Sequence, residues 1–246
     1  MIHIGLPAYN ESEAILTLLS NIHKELISGY RIIVYDDGST DNMVEAIAHW
    51  KPNNICADVI LGDKNRGLGY AVSKLIEVFL MSSFDPDDVL VIMDADLTHS
   101  PKHIPRMFSY IRDGFDVVIA SRYTQFSRVV GVKLRRKIIS RIGNFIPRIL
   151  FPIKGVRDYT CGYRMYSLNI LKAARKVYGE SLIKEQGFGS MAELLIKLRS
   201  LGAFVCETPI ILRYDKKAGK SKMKVIPTII RTLRLMVKMM LLKRRK

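Results

Sequence analysis

Asp94-Ala95-Asp96 places two carboxylates one residue apart, directly after the apolar run Val89–Met93. Hard oxygen ligands at that spacing suit Mg²⁺ or Mn²⁺, which take one or two protein carboxylates and complete their shell with substrate phosphates and water. Asp is also common at solvated strand ends, so the tripeptide gains its meaning from position, behind an apolar strand and near a second acidic loop. That loop, Asp36-Asp37-Gly38-Ser39-Thr40-Asp41, is dense in turn formers, and Ser39 or Thr40 is expected to cap a helix running to about Trp50. Adjacent carboxylates repel, so a doubled Asp exceeds what a cap requires. A nucleobase or ribose donating hydrogen bonds to one of them would explain the second. Tyr9-Asn10-Glu11 is a third polar cluster, and Asn65-Arg66-Gly67-Leu68-Gly69-Tyr70-Ala71 approximates a phosphate loop without dinucleotide or Walker spacing. Its glycines are expected to permit close helix–sheet packing, with Arg66 reaching the cleft. His99 and His103 are four apart, a spacing open to a metal pair, but surface positions at a helix start are the expectation and neither is assigned a role.

These clusters must be held by strands and helices. Ile2–Ala8, Arg31–Tyr35, Val59–Leu61, Val89–Met93 and Val117–Ala120 read as strands. Between them Ala14, Ile15, Leu18, Leu19, Ile22 and Leu26 line one helical face, and Gly67–Leu80 forms a further helix. Alternation of this kind predicts an α/β fold, a mostly parallel sheet flanked by helices, whose ligands bind beyond the carboxyl ends of the strands. Three polar clusters then meet at one rim. After Tyr123 the pattern changes. Leu134, Ile138, Ile142, Phe145 and Ile149 recur at helical spacing, with Arg135, Arg141 and Arg148 on other faces. Val156–Arg164 reads as a polar loop and Met191–Leu201 as a helix. Residues 224–246 read as a last helix with a cationic stripe of Arg231, Arg234, Lys238 and Arg245.

At 246 residues the chain suits one large domain. No stretch reaches the roughly 18–20 uncharged apolar residues of a membrane span, and the N-terminus does not read as a secretory signal. Cys56, Cys161 and Cys206, dispersed and odd in number, suit buried thiols in a reducing compartment. Lys and Arg number 39 against 23 Asp and Glu, a net charge of +16 that calls for an anionic partner. The basic residues concentrate in the second half, around 135–141, 216–224 and 243–246, which points to an acidic, metal-using half and a basic, phosphate- or membrane-facing half.

Taken in order, Pro7-Ala8-Tyr9-Asn10-Glu11, Asp36-Asp37-Gly38-Ser39-Thr40-Asp41, Asn65-Arg66-Gly67 and Asp94-Ala95-Asp96-Leu97 resemble the successive signatures of glycosyltransferase family 2, the inverting GT-A fold. Ser121-Arg122-Tyr123, the run from Arg135 to Arg141, Val156–Arg164, Glu193-Leu194-Leu195 and Gly219-Lys220-Ser221-Lys222-Met223 resemble the dolichol-phosphate mannose synthase group of polyprenyl-phosphate glycosyltransferases. The resemblance covers about residues 1–224: a nucleotide-sugar half at 1–120, an acceptor half at 121–224, then a basic amphipathic helix at 225–246 expected at the membrane surface. It implies that Pro7, Tyr9, Glu11, Asp36, Asp37 and Arg66 hold the nucleotide. Asp94 and Asp96 would bind the diphosphate and a Mg²⁺ or Mn²⁺ ion. Arg122, Arg136 and Arg141 would meet the acceptor phosphate, with Lys222 on the donor phosphates. Two departures stand out: Thr98 occupies a position where many relatives carry a metal-ligating Gln, and Lys216 replaces an Arg, leaving Arg213 to do that work.

The implied reaction moves a hexose, mannose or glucose, from a nucleotide diphosphate such as GDP-mannose to a polyprenyl phosphate. It would occur at the cytoplasmic, inner membrane face, with inversion, in a peripheral protein that does not bind nucleic acid and has room for a separate membrane-embedded subunit. An ionised phosphate needs no general base. A sugar-hydroxyl acceptor does need one, and Glu193 or Asp158 would then supply it. A non-catalytic basic protein binding membrane or nucleic acid is a further rival, though bare carboxylates at the rim would repel its phosphates, and a nucleotidyltransferase is another that the second-half motifs do not suggest.

Overall fold

A computed structural model of the chain describes residues 1–26, 28–50, 57–132, 134–187, 189–217, 231–237 and 239–240, the side chains of 134–139 excepted. Strand and helix alternate through β1 (Ile2–Ala8), α1 (Ser12–Leu26), β2 (Tyr30–Asp36), α2 (Met43–Ala48), β3 (Ala57–Leu61), α3 (Leu68–Ser82) and β4 (Val89–Ile92). There follow α4 (Ile104–Arg112), β5 (Val117–Ser121), β6 (Arg128–Val130), α5 (Leu134–Leu150), β7 (Arg164–Ser167), α6 (Leu168–Tyr178), α7 (Ser190–Ser200), β8 (Val205–Pro209) and β9 (Ile211–Arg213). Seven strands form one sheet in the order β3-β2-β1-β4-β7-β5-β8, and β6 pairs with β9 in a small second sheet. Every residue of β4 and β5 is buried, as unbroken apolar runs require when helices cover both faces. In α1 the spaced apolar residues Ala14, Ile15, Leu18, Leu19 and Ile22 are the buried ones.

Only β7 in the large sheet runs antiparallel to its neighbours β4 and β5. The parallel strands therefore end at one rim, and the residues that enter β7 lie at that same rim. The stretch Val156–Arg164, read as a polar loop, is in fact largely interior: Val156, Asp158, Tyr159, Cys161, Tyr163 and Arg164 are all buried. Arg164 is accommodated because its guanidinium donates to the carbonyls of Met191 (2.6 Å) and Tyr159 (2.7 Å). A four-residue strand opened by a buried arginine shows no apolar alternation, which hides β7 from a periodicity reading.

Two local expectations change. Neither Ser39 nor Thr40 caps α2, which begins only at Met43; both residues tie the loop to its neighbour instead. The glycines of the 65–71 loop make room for a backbone segment rather than for the sheet. Gly69 N donates to the Gln186 carbonyl at 2.8 Å, and a Cβ on Gly69 would fall 1.8 Å from the Glu185 carbonyl oxygen.

Residues 231–237 and 239–240 are helical. Met236 and Thr232 are buried, so part of the apolar side expected to face lipid packs on the protein, while Leu233 and Val237 stay exposed beside Arg231 and Arg234. Lys238 and Arg245 of the expected cationic stripe lie outside the described residues. Among the described residues no helix is long and apolar enough to cross a membrane.

Gly69→Ala should push the 184–187 segment off α3 and destabilise the fold by about 1–3 kcal/mol, the usual range for overpacking. Urea unfolding checks this, and an unchanged midpoint would show the segment to be free to move aside.

Candidate active site

Asp94 and Asp96 follow β4 at the rim. Leu97, the next residue, has φ of 65°, a left-handed conformation that branched side chains rarely adopt. The turn brings Thr98 back onto Asp96, whose Oδ1 accepts from Thr98 N at 3.1 Å and from the Thr98 hydroxyl at 2.6 Å. Thr98 is buried and directs its hydroxyl proton to that carboxylate. His99 lies beneath the motif: its Nδ1 accepts from Asp94 N at 3.0 Å, and its ring stacks on Tyr163 with centroids 5.0 Å apart. His103 meets the same tyrosine edge-on. His99, only 4% exposed, is thus an interior packing group and not the surface residue expected, while His103 is half-buried at the helix start. Across the site, a Cβ at Gly162 would stand 3.2 Å from Asp94 Oδ1, so the loop entering β7 closes against that carboxylate.

Among the described residues, the lysine paired with the motif is Lys217, whose ammonium meets Asp96 Oδ2. Burial alone would lower the Lys217 pKa, but Asp96 outweighs it and Glu11 and Asp94 add to the field, so the lysine is held above its usual range. Burial would likewise raise Asp96, and the Lys217 ammonium reverses the sign. Asp94 shifts upward, through burial and the neighbouring charge of Asp96. Glu11 from the first loop and the Asp94 motif thus act on one lysine, the convergence expected from strand alternation. Lys217 was missed in the sequence, where Lys216 and Arg213 drew attention. The structural reason is register: Arg213 N donates to the Thr98 carbonyl at 3.0 Å, pinning the end of β9 against the motif four residues before Lys217. The Arg213 guanidinium itself turns outward to Asp215 at 2.7 Å.

The loops that follow β1, β2 and β3 are cross-tied. Asn10 N donates to Ser39 Oγ and Thr40 N to Asn10 Oδ1, each at 2.8 Å, while Ser12 N, at the start of α1, donates to Asp41 Oδ2 at 2.9 Å. Asp36 accepts from Ser39 N at 2.9 Å within its own loop. Asp37 accepts from Arg66 N at 2.9 Å and Gly67 N at 2.7 Å, so each carboxylate of the doubled Asp has an internal partner. Burial pushes Asp37 upward against the pull of those two N–H groups. Arg66 lays its guanidinium over the Tyr70 ring at 4.8 Å and pairs with Asp63 at 2.9 Å. Pro7 sits at the carboxyl end of β1, opposite Tyr35, and Tyr9 follows it.

In the second half of the chain, Arg122 Nη2 donates to Asp158 Oδ1 at 2.6 Å and to Thr160 Oγ1 at 2.7 Å, and its Nε to Asp158 Oδ2 at 2.8 Å. Asp158 is fully buried, and burial would raise its pKa, but Arg122 outweighs this and holds it below the usual carboxylate range. Arg141 lies on α5 beside Asn144 and Arg148. The Arg136 side chain and Lys222 lie outside the described residues. Glu193, also buried, accepts from Lys184 N at 2.9 Å and Glu185 N at 2.8 Å and pairs with Lys197 at 2.6 Å.

Asp158→Asn leaves Arg122 buried without its counter-charge and should destabilise the fold by about 3–5 kcal/mol. Because the folded Asp158 pKa lies below its unfolded value, the pair stabilises fully above about pH 4 and fades as pH falls through the lowered folded value. Denaturant titrations at pH 7 and pH 3 should therefore separate wild type from variant widely at the first and far less at the second.

The family model for glycosyl transferase family 2 matches residues 3–174. The chain is 30% identical to an undecaprenyl-phosphate mannosyltransferase from Micrococcus luteus, over 89% of this chain and 85% of that protein. It is 32% identical to a dolichol-phosphate mannosyltransferase from Pyrococcus furiosus over 91% of this chain, which spans 59% of that longer protein. A polyprenol monophosphomannose synthase from Mycolicibacterium smegmatis is 29% identical over 89% of this chain and 79% of its own. In fold, the chain superposes on glucosyl-3-phosphoglycerate synthase from Mycobacterium tuberculosis, crystallised with Mn²⁺, UDP and glucosyl-3-phosphoglycerate, with a TM-score of 0.67 at 18% identity, over 98% of this chain and 79% of that one. The strand-end carboxylates, their cross-tied loops and this breadth of matching together mean that the chain belongs to glycosyltransferase family 2, built on a GT-A fold.

Proposed function

We infer that the chain transfers a hexose, mannose or glucose, from a nucleotide-diphosphate sugar such as GDP-mannose to a polyprenyl phosphate, with inversion at the anomeric carbon. The observation that carries this reading is the engagement of the two carboxylates that would serve a hydroxyl acceptor as base. Asp158 is closed onto Arg122, and Glu193 onto Lys197 and two backbone N–H groups. An acceptor that arrives already ionised needs neither. Relatives whose names specify undecaprenyl-phosphate and dolichol-phosphate mannosyl transfer support the same acceptor.

The donor set at the rim fits a divalent cation. Asp94 and Asp96 offer hard oxygens, and the draw of Asp96 on an ammonium marks a position that demands positive charge. Among the described residues no third His, Cys, Asp or Glu completes a metal cluster, so the remaining ligands would be donor phosphate oxygens and water. Mg²⁺ or Mn²⁺ held there would supply Lewis-acid stabilisation of the departing diphosphate. Thr98 then orients Asp96 and is in reach as a further oxygen. Lys217, with Lys222 beyond it, supplies cationic charge on the donor side. Pro7, Tyr9, Glu11, Asp36, Asp37 and Arg66 frame the nucleoside. Arg122, Arg136 and Arg141 would offset repulsion between the acceptor phosphate and the donor diphosphate. The membrane-facing work falls to the basic second half, at the cytoplasmic face, alone or with a separate membrane-embedded subunit.

Radiolabelled nucleotide sugar offered together with a polyprenyl phosphate and an oligosaccharide tests the acceptor. Label is expected in the lipid fraction, and label confined to the oligosaccharide would sink the reading. Chelation should abolish turnover and Mg²⁺ or Mn²⁺ restore it. Asp96→Ala should lower kcat by about 10²–10³, the scale of losing one preorganised electrostatic contact; an unchanged kcat would remove the motif from the mechanism.

A further inference from the structure

Both oxygens of Asp96 have partners within the chain. Oδ1 accepts from Thr98 N and from the Thr98 hydroxyl, two hydrogen bonds that use both of its lone pairs. Oδ2 is therefore the oxygen open to a metal ion, and Lys217 pairs with that same atom. The ammonium is well seated. Its side chain is only 15% exposed, and Asp94 and Glu11 add their charge to that of Asp96. The backbone that carries it is held as firmly. Arg213 N donates to the Thr98 carbonyl at 3.0 Å, and Lys217 N donates to the Tyr214 carbonyl at 3.3 Å. At Gly131, where φ is 78°, a Cβ would stand 2.5 Å from Asp215 N. The turn between β9 and Lys217 is thus clamped between the acidic motif and the end of β6. What can move is the flexible four-carbon stem that bears the ammonium.

An ammonium and a divalent cation do not share one carboxylate oxygen in a half-buried site, because like charges a few ångströms apart repel strongly there. Lys217 is also tethered, so it competes at a fixed effective concentration that dilution does not lower. Once displaced from Asp96, its ammonium needs another anion. A nucleotide diphosphate supplies one, being the group whose oxygens complete the shell of the same metal ion. We propose that Lys217 is an internal competitor for Asp96 that couples the binding of metal and nucleotide: Asp96 Oδ2 exchanges the ammonium for the metal ion while the ammonium turns to the diphosphate. This rests on the donor and metal reading above and adds to it that the nucleotide-free protein holds metal weakly, whereas nucleotide makes the hold tight. By linkage, metal raises nucleotide affinity by the same factor.

Mn²⁺ binding to the nucleotide-free protein, read from loss of the free-ion EPR signal, tests this without turnover. Lys217→Met should bind Mn²⁺ about tenfold or more tighter than wild type, within the usual range of coupling between sites. Lys217→Arg keeps the charge and should stay close to wild type. Lys217→Gln, uncharged yet able to donate to Asp96, should tighten as the methionine variant does, and it serves as the test should that variant fold poorly. Equilibrium dialysis of radiolabelled GDP and of UDP, with and without Mn²⁺, reads the coupling from the other side. The gain in nucleotide affinity on adding Mn²⁺ should be about tenfold larger in wild type than in Lys217→Met. Mn²⁺ binding by the methionine and glutamine variants no tighter than that of wild type, or an equal gain from Mn²⁺ in wild type and variant, would overturn the proposal while leaving the metal reading in place. Mn²⁺ bound by none of these proteins, with nucleotide or without it, would take down the metal reading and the proposal with it.

Discussion

Negative charge gathered at a sheet rim is the constraint from which the rest of this structure follows. Glu11 comes from the end of one strand and Asp94 and Asp96 from the end of another, and all three act on one lysine, Lys217. In a half-buried cleft such charges are tolerable only with a cation among them. The protein supplies its own: Lys217 is delivered by a chain segment that β9 pins to the Thr98 carbonyl. A bound metal ion and donor would rearrange that balance, with a different cation on Asp96 and an anion for Lys217 to meet.

Around this centre the loops are joined to one another more than to the elements they leave. The Asn10 loop holds the Ser39–Thr40 loop, Asp41 steadies the start of α1, and Asp37 gathers the backbone of Arg66 and Gly67. Gly69 continues the chain of contacts to Gln186, and Glu193 holds the residues just before it. Polar groups fixed in this way need little reorganisation when charged ligands arrive, which is where electrostatic catalysis gains its advantage.

The strands that carry Asp94 and Ser121 were legible because they are unbroken apolar runs, the strand that carries Asp36 because it is rich in β-formers, and α1 because its apolar residues recur at helical spacing. The meeting of the first loop with the Asp94 motif was legible too, since polar clusters that follow successive parallel strands must end at one rim. Less visible were contacts set by three-dimensional register. Nothing in the composition of the 213–217 segment distinguishes Lys217 from Lys216; only the pairing of Arg213 with Thr98 selects it. His99 looked like a surface residue because its burial comes from Tyr163, more than sixty residues away in sequence. Asp158 and Glu193 looked available as bases because their partners, Arg122 and Lys197, show themselves only in the folded chain.

The short loop that enters the reversed strand β7 touches two places at once. Arg157 at its start gives its carbonyl to the Asn144 amide of α5, and Gly162 at its end rests against Asp94. Between them Asp158 anchors Arg122 and Tyr159 is held by Asn144. The loop therefore behaves as one rigid link, with no slack in which either end could change alone. Transplanting it from a relative to alter what happens at the helix would drag the carboxylate of Asp94 with it, and substitutions at its two ends should combine non-additively. A graft of this stretch would have to bring its partners in α5 and at the end of β4 with it.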